Sequence, residues 1–378
     1  MKKNYNVLAI SHVFIKKINI SFYENLAHQK NFRVTCIYPS KFTINNKVSY
    51  PDFKNYKGYA KTIKSNLINK TSRFFYFSNL KKYILSEKPN LIIVDNDPVT
   101  FQSLIVIFYS FFFDYKICYF CNENNIKNVF KKFTIKKFFK FLVIYSINFL
   151  IKNRIHKIFC YTNQIKENYD FLGYRKKTCV MPLGYDAKIF NLSNRKNGKK
   201  NFVISYFGRI NKDKGIHVLI KSLKQINSIK WKLLLDIDYV DDKIYFDKIL
   251  TDLKINFKKE QFSFIKADHY NISDHMKKSD LVVLPSMHEE QYGRVIQEAV
   301  ACGNIAVGSK IGGIPEIIND KELLFNPGNY KELANIIKKL MNKKKFNIKF
   351  KKIHSRIIKE RTIFKQTLVF KKFLNKKL

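Results

Sequence analysis

The chain is 378 residues long and carries 71 Lys+Arg against 29 Asp+Glu, a formal net charge of +42 at pH 7. With 46% hydrophobic residues in periodic segments it reads as a globular chain of two-domain length, which excludes a disordered polyelectrolyte. The charge excess leaves three readings open: compositional drift towards Lys, Asn, Ile and Phe, an anionic membrane or acceptor surface, and nucleic acid.

No leading segment is expected to combine the basic start, apolar core and small-residue cleavage site of a secretory signal. The longest apolar runs, LIVIFYSFFF (104–113) and FLVIYSINFLI (141–151), are short for a bilayer span. The expectation is a cytoplasmic protein, with any membrane contact peripheral on the inner face of the cell membrane.

In chain order, β-rich runs alternate with helical patterns. The first strands are expected at YNVLAI (5–10), RVTCIY (33–38), NLIIV (90–94), KICYFC (116–121), KIFCYT from residue 157, and TCVMP (178–182). A helical stretch, NLKKYILSEKP, leads into the third of them. Cys118 and Cys121 form a C-x-x-C inside a strand with no second ligand pair, and read as buried core thiols rather than a metal or redox site. Segment 130–154 is dense in Lys and Phe, and suits either an anionic membrane surface or a first-domain helix with a solvated basic face.

LSNRKNGKKN (192–201) reads as a linker. The alternation then restarts with NFVISYFG, WKLLLDI, QFSFI, DLVVLP and NIAVGS. Strands alternating with helices give parallel sheets, so the expected class is α/β with two doubly wound domains. The ligand is expected in the cleft between them, at the carboxyl ends of the strands. The basic, Phe- and Ile-studded tail from Lys343 to Leu378 is expected to pack back across the first domain. The expected boundaries are 1–190, 191–355 and a returning helix at 356–378.

Two stretches carry chemistry. In YFGRINKDKGIHVLI (206–220) a strand ends, Gly208 and Arg209 turn the chain, and Lys214-Gly215 precede a helix. Gly208 admits a ligand close to the backbone, and Arg209 and Lys214 set two cations at a helix mouth, which suits a diphosphate. In SDLVVLPSMHEEQYGRVIQEAVACGNIAVGSKIGGIPEII (279–318), a strand leads to a helix expected from near Tyr292 to Cys302, ended by Gly303. Val295, Ile296, Ala299, Val300 and Cys302 make its apolar face. Glu298 lies on the flank of that face, partly buried, and Glu290 precedes the helix on a loop. Gly293 thins the backbone where helix amides favour an anion. On spacing alone, Glu290 is equally a helix N-terminal charge and Glu298 a half-exposed surface acid.

The pattern E-x7-E with QYGRV inside, EAVACG at its end and GGIPEII after it resembles the donor-site signature of retaining glycosyltransferases of family 4, the glycosyl transferases group 1. FGRINKDKG resembles that family's G-R-x4-K-G, and VMPLGYDAKIF (180–190) the segment entering its linker. The resemblance is close in the second half of the chain and loose in the first. It implies the GT-B fold: two Rossmann-like domains facing across a cleft, with a C-terminal helix returning to the first. It further implies transfer of a hexose-type sugar from a UDP- or GDP-sugar to a glycan or lipid-linked acceptor in cell-surface polysaccharide or lipopolysaccharide biosynthesis. No metal and no cofactor are implied, because cationic side chains and amides neutralise the leaving diphosphate. Carried onto this sequence, Glu298 would bind the ribose hydroxyls, Glu290 the donor sugar, and Arg209 and Lys214 the diphosphate. The backbone around Tyr292, Gly293, Arg294 and Val295, with Gly208, would complete the cradle.

The sequence departs from that pattern in places. ISHVFIKKIN (10–19) lacks the glycine-rich loop of many relatives and resembles a subgroup with a Ser-His start, which makes His12 a candidate on the acceptor or phosphate side. CNENN (121–125) replaces a histidine common in relatives and leaves Asn122, Glu123 and Asn124 as acceptor-side candidates. WKLLLDIDYV lacks the usual G-x-G turn and carries Asp236 and Asp238 instead, so the base is not specified. Two other classes compete: a nucleotide-sugar epimerase of the same fold, and a basic nucleic-acid-binding protein. No nucleic-acid module is recognisable, and nucleic acid is not an expected partner.

Overall fold

The computed structural model describes residues 4–44, 47–53, 58–68, 75–123, 134–193, 201–226, 230–268 and 270–374. The chain forms two compact units, one from Met1–Gly184 with Ile363–Leu378, the other from Tyr185–Thr362.

The first unit is built on the strands β1 (Tyr5–Ile10), β2 (Phe32–Pro39), β5 (Lys61–Ser65), β8 (Leu91–Val94), β9 (Lys116–Cys121), β10 (Ile155–Cys160) and β11 (Thr178–Val180). Two antiparallel ribbons, β3 (Phe42–Ile44) with β4 (Lys47–Ser49) and β6 (Leu67–Ile68) with β7 (Tyr76–Phe77), lie outside that sheet. The main sheet runs β11-β10-β9-β8-β1-β2-β5, and every pair in it is parallel. Its central strands are apolar throughout, as LIIV and ICYFC are, because helices cover both faces of a parallel sheet. These are α1 (Ser21–Ala27), α2 (Leu80–Glu87), α3 (Phe101–Tyr109), α4 (Ile135–Ile151) and α5 (Asn163–Tyr169). Cys118 and Cys121 are free, buried thiols of β9 whose ionisation burial opposes.

The second unit holds β12 (Phe202–Tyr206), β13 (Trp231–Asp236), β14 (Phe262–Ile265), β15 (Leu281–Leu284), β16 (Ile305–Ser309) and β17 (Leu324–Phe325). They lie in the order β14-β13-β12-β15-β16-β17, again all parallel. Its helices are α6 (Ile216–Leu223), α7 (Lys243–Asn256), α8 (Ile272–Lys277), α9 (Arg294–Ala301), α10 (Ile314–Ile318), α11 (Tyr330–Leu340) and α12 (Lys343–Glu360).

The tail divides between the units. The helix α12 stays with the second unit and packs on α9 and α11. Only α13 (Ile363–Leu374) joins the first, where Phe370 is fully buried against Phe22, Phe120 and Phe159. The crossing is pinned on each side. Tyr185 donates its N–H to the Arg361 carbonyl at 2.9 Å within the second unit. Gly184 donates its N–H to Gln366 Oε1 at 2.8 Å within the first. The chain therefore crosses at 184/185 and 362/363, where the reading from sequence had 190/191 and 355/356. Most of the expected linker, 194–200, lies outside the described residues.

Candidate functional site

In each sheet the strand order reverses beside the first strand: at β1/β8 in one unit and at β12/β15 in the other. Loops leaving the carboxyl ends of such a strand pair diverge and open a crevice between them. In the second unit those loops are 207–215 and 285–293, which carry the residues singled out from sequence.

Backbone contacts fix the loop 285–293 between two neighbours. On one side Met287 donates its N–H to the Asp213 carbonyl at 2.8 Å. Gly215 has φ +70°, and a Cβ built there would stand 1.9 Å from the Pro285 carbonyl oxygen. On the other side Gly313 donates its N–H to the Glu290 carbonyl at 2.8 Å. A Cβ on Gly312, at φ +59°, would lie 2.1 Å from that same oxygen. Glycine is the residue that tolerates both the left-handed backbone and the approach. The GG of GGIPEII thus seats the Glu290 backbone.

The Glu290 carboxylate is ion-paired with Lys214 Nζ, and both side chains are largely buried. Ser286 Oγ donates to the same oxygen, Oε1, at 2.8 Å. Asn211 caps the short helical turn before Lys214, accepting from its N–H at 3.1 Å. Arg209 is more exposed and lies 3.5 Å from Asp241. Its carbonyl accepts from the Tyr206 hydroxyl at 2.6 Å, beside Gly208 at φ +142°. Asp236 serves its own turn: its Oδ1 accepts from the N–H groups of Asp238 and Ala267, each at 3.1 Å. Burial raises its pKa.

The helix α9 begins at Arg294, with Gly293 at φ +88° as its N-cap, two residues later than expected. Glu298, expected partly buried on a flank, is buried outright, as is Gln297. The reason is long-range: α9 is packed by α8, α10, α12, β15 and β16, which a local helical projection does not show. Glu298 Oε1 has no hydrogen-bond partner. Burial pushes its carboxyl up to about 7, against a downward pull from Arg294. An unpartnered buried carboxylate oxygen is costly and calls for a donor. The Tyr292 side chain is committed elsewhere: its hydroxyl donates to Gln297 Oε1 at 3.0 Å and accepts from Arg361 Nη1 at 2.9 Å. Only its backbone is left to face a ligand. Val295 and Arg294 are half-buried in the first turn.

In the first unit His12 follows β1 at the corresponding reversal. It opens a short helical turn capped by Ser11, whose hydroxyl also donates to the Asp95 carbonyl at 2.9 Å. Its ring sits between Phe42 and Phe75, with centroids 4.9 and 4.8 Å away. Nδ1 has no partner, and burial lowers its pKa to about 4. The imidazole is therefore neutral at physiological pH. It is a weak general base but a sound hydrogen-bonding group.

Asn122 and Glu123 are half-buried just beyond β9, and Asn124 lies outside the described residues. Sequence reasoning passed over Asp95, Asn96 and Asp97, which follow β8 at the reversal itself. Asp95 accepts from the Tyr161 hydroxyl at 3.3 Å, Asp97 from that of Tyr169 at 2.5 Å, and Asn96 Nδ2 is buried without a partner. The available signal was IVDNDP, two acids directly after an apolar strand in a chain poor in acids. Among the described residues no group of three or more His, Cys, Asp or Glu is placed to hold a metal ion.

Residues 188–356 match the family described as Glycosyl transferases group 1. A capsular polysaccharide biosynthesis glycosyltransferase, CapM, from Staphylococcus aureus is 28% identical over 224 residues, 54% of this chain and 57% of CapM. A lipopolysaccharide 1,2-N-acetylglucosaminetransferase from Salmonella typhimurium is 26% identical over 154 residues, 37% of this chain and 40% of that enzyme. The chain thus spans about half the length of these curated relatives. Among solved structures, HepE from Anabaena in complex with UDP superposes with a TM-score of 0.74 at 17% identity, covering 97% of this chain and 99% of HepE. Sucrose-phosphate synthase from Thermosynechococcus elongatus gives 0.72 at 17% identity over 97% of each chain. The fold is GT-B: two Rossmann-like α/β units, with the C-terminal helix returned to the first.

Proposed function

We propose that the protein is a retaining glycosyltransferase of the family-4 kind. In this reading it moves a hexose-type sugar from a UDP- or GDP-sugar to a glycan or lipid-linked acceptor, in capsule or lipopolysaccharide assembly. The observation that carries it is the Lys214–Glu290–Ser286 cluster, held by backbone contacts at the strand reversal of the second unit. A cation and a carboxylate fixed together suit a substrate with a diphosphate next to a polyhydroxylated ring. CapM and the Salmonella transferase lend the polysaccharide context, and HepE the nucleotide.

Lys214 and Arg209 would take the diphosphate and stabilise the charge that develops as the glycosidic bond to phosphate breaks. Gly208 and the amides of 293–295 would complete that cradle. Glu290 would accept hydrogen bonds from the sugar hydroxyls, and Glu298 from the ribose. No protein nucleophile is assigned: the acceptor attacks the face the diphosphate leaves, and a departing phosphate oxygen takes its proton. The enzyme contributes orientation and charge stabilisation. His12, neutral, would hydrogen-bond the acceptor or the phosphate, with Asn122, Glu123 and Asn124 on the acceptor side. Asp95 and Asp97 join them as acceptor-side candidates.

A thermal-shift panel of nucleoside diphosphates and their sugars tests this reading. A ligand at a hundred times its Kd stabilises the fold by ~2.7 kcal/mol, so the correct base stands out. UDP or GDP is expected to raise the melting temperature, and Lys214→Ala to abolish the rise. A panel without effect, or a rise that survives Lys214→Ala, overturns the donor site. Donor turnover without any acceptor would indicate the epimerase instead.

A further inference from the structure

The first unit has a second feature that the glycosyl-transfer reading does not use. Along α4 the exposed residues include Ile135, Phe139, Leu142, Val143, Tyr145, Phe149 and Leu150. At 100° per residue these fall on one side of the helix, a stripe nearly half its circumference wide. The opposite side is where α4 is anchored: Asn148 is fully buried and accepts from the Tyr174 hydroxyl at 2.8 Å. A surface helix of a soluble domain normally carries the reverse pattern, polar outward.

A second group of exposed apolar residues lies at the last turn of α3 and just after it. Phe108, Phe111 and Phe112 are exposed there, the last two at 61% and 67%. The Arg154 guanidinium joins the two segments by lying over the Phe111 ring, 3.9 Å from its centroid. Lys152 Nζ lies over the Phe149 ring at 4.2 Å. Beside them opens a hollow of about 470 Å³, lined by Phe111, Phe112, Lys116, Arg154 and Lys177, with Asp114 the one carboxylate in its wall among the described residues. Aromatic side chains thus protrude next to a cation-lined hollow at one end of a long apolar face. The helix is not a span: among the described residues no helix is long and apolar enough to cross a membrane.

We infer that this surface docks the protein on an anionic lipid bilayer, with Phe111, Phe112 and Leu150 entering the interface and Lys152, Arg154 and Lys116 meeting lipid phosphates. Charge decides the occupant. A second copy would set one cation-rimmed face against another, on chains that each carry +42. An anionic bilayer offers a charged plane and an apolar layer to the same face together, the arrangement that holds interfacial helices. The inference does not depend on the donor reading, and its test uses no nucleotide.

The test is vesicle co-sedimentation of the full chain. Vesicles are phosphatidylcholine alone, or the same lipid with about 30% phosphatidylglycerol. Wild type is expected to bind the anionic vesicles, not the neutral ones, and to weaken with salt. The overall charge alone would produce that much, so the deciding variant keeps every charge. The triple substitution Phe111→Ser, Phe112→Ser, Leu150→Ser is expected to bind at least about tenfold more weakly, with an unchanged melt, because these side chains are exposed. The pair Lys152→Glu, Arg154→Glu is expected to lose binding as well. Equal binding by the serine variant would assign adsorption to diffuse charge and refute the docking face. A wild-type dimer that the serine variant abolishes would assign the face to a second copy, and absence of binding would end the proposal.

Discussion

Replacing Glu298 by glutamine should make the protein more stable at alkaline pH and worse at its task. Burial pushes the Glu298 carboxyl up to about 7 from an ordinary 4.5, the Arg294 charge offsetting part of the rise. Each pKa unit corresponds to 1.36 kcal/mol, so ionising this group in the folded protein costs ~3 kcal/mol relative to the unfolded chain. The sign follows from proton counting. Between about pH 4.5 and 7 the folded state keeps a proton that the unfolded chain has released, so stability falls as pH rises through that window. Below it the two states are equally protonated and the penalty vanishes; above it the penalty is complete. Glu298→Gln preserves shape and removes the charge. It should raise stability by up to ~3 kcal/mol at pH 8 and by nothing at pH 4.5, or ~6–12 °C in melting temperature for a unit of this size. Differential scanning calorimetry of both proteins from pH 4.5 to 8 reads this directly. Melting curves that stay parallel across that range, or a variant less stable at pH 8, would refute the argument. An enzyme keeps such a penalty where a ligand relieves it: the ionised carboxylate is the better acceptor for ribose hydroxyls, so the stabilised variant should bind nucleotide less well.

Other substitutions separate scaffold from site. Gly312→Ala should destabilise the second unit by roughly 3 kcal/mol or more and remove nucleotide binding, because a Cβ there meets the Glu290 backbone and the left-handed conformation resists it; melting and titration together check it. Tyr292→Phe should cost about 1–2 kcal/mol through loss of the Gln297 and Arg361 hydrogen bonds, yet leave nucleotide affinity within about twofold. A large affinity loss would place the hydroxyl at the ligand instead. His12→Gln should flatten the acid limb of the stability profile. The folded pKa, about 4, lies below the ordinary 6.5, so wild type loses stability as pH falls between those values. An acid limb equally steep in the variant would show that His12 is not its cause.

The strands were readable because parallel, doubly covered strands are short apolar runs, as LIIV, LVVL and KICYFC are. What escaped was short, polar or dependent on distant partners. KTIKS (61–65) has one apolar residue, Ile63, between two lysines and becomes a strand only by adding to the open edge of β2. The ribbons that pair 42–44 with 47–49 and 67–68 with 76–77 are too brief for periodicity to register. The depth of Glu298 was invisible because α9 is packed by elements distant in sequence, among them α12, which begins at Lys343. Glu290 was easier to place. Its spacing from Glu298 and the paired glycines downstream are local features, and the contact of Gly312 with its backbone is the physical content of that motif. Asp95 and Asp97 were missed because no motif flags them; their significance comes from the strand order, which sequence alternation implies only in outline.

In the proposed function a nucleoside diphosphate binds at the strand reversal of the second unit. Calorimetric titration of UDP and GDP into wild type, Lys214→Ala and Glu298→Ala tests it most directly. Saturable one-site binding of one diphosphate to wild type is expected. Losses of about 10–100-fold are expected in Lys214→Ala, the worth of a charge-assisted hydrogen bond to phosphate, with a separate loss in Glu298→Ala. Unaltered affinity in both variants, or no binding of either diphosphate to folded wild type, would contradict it.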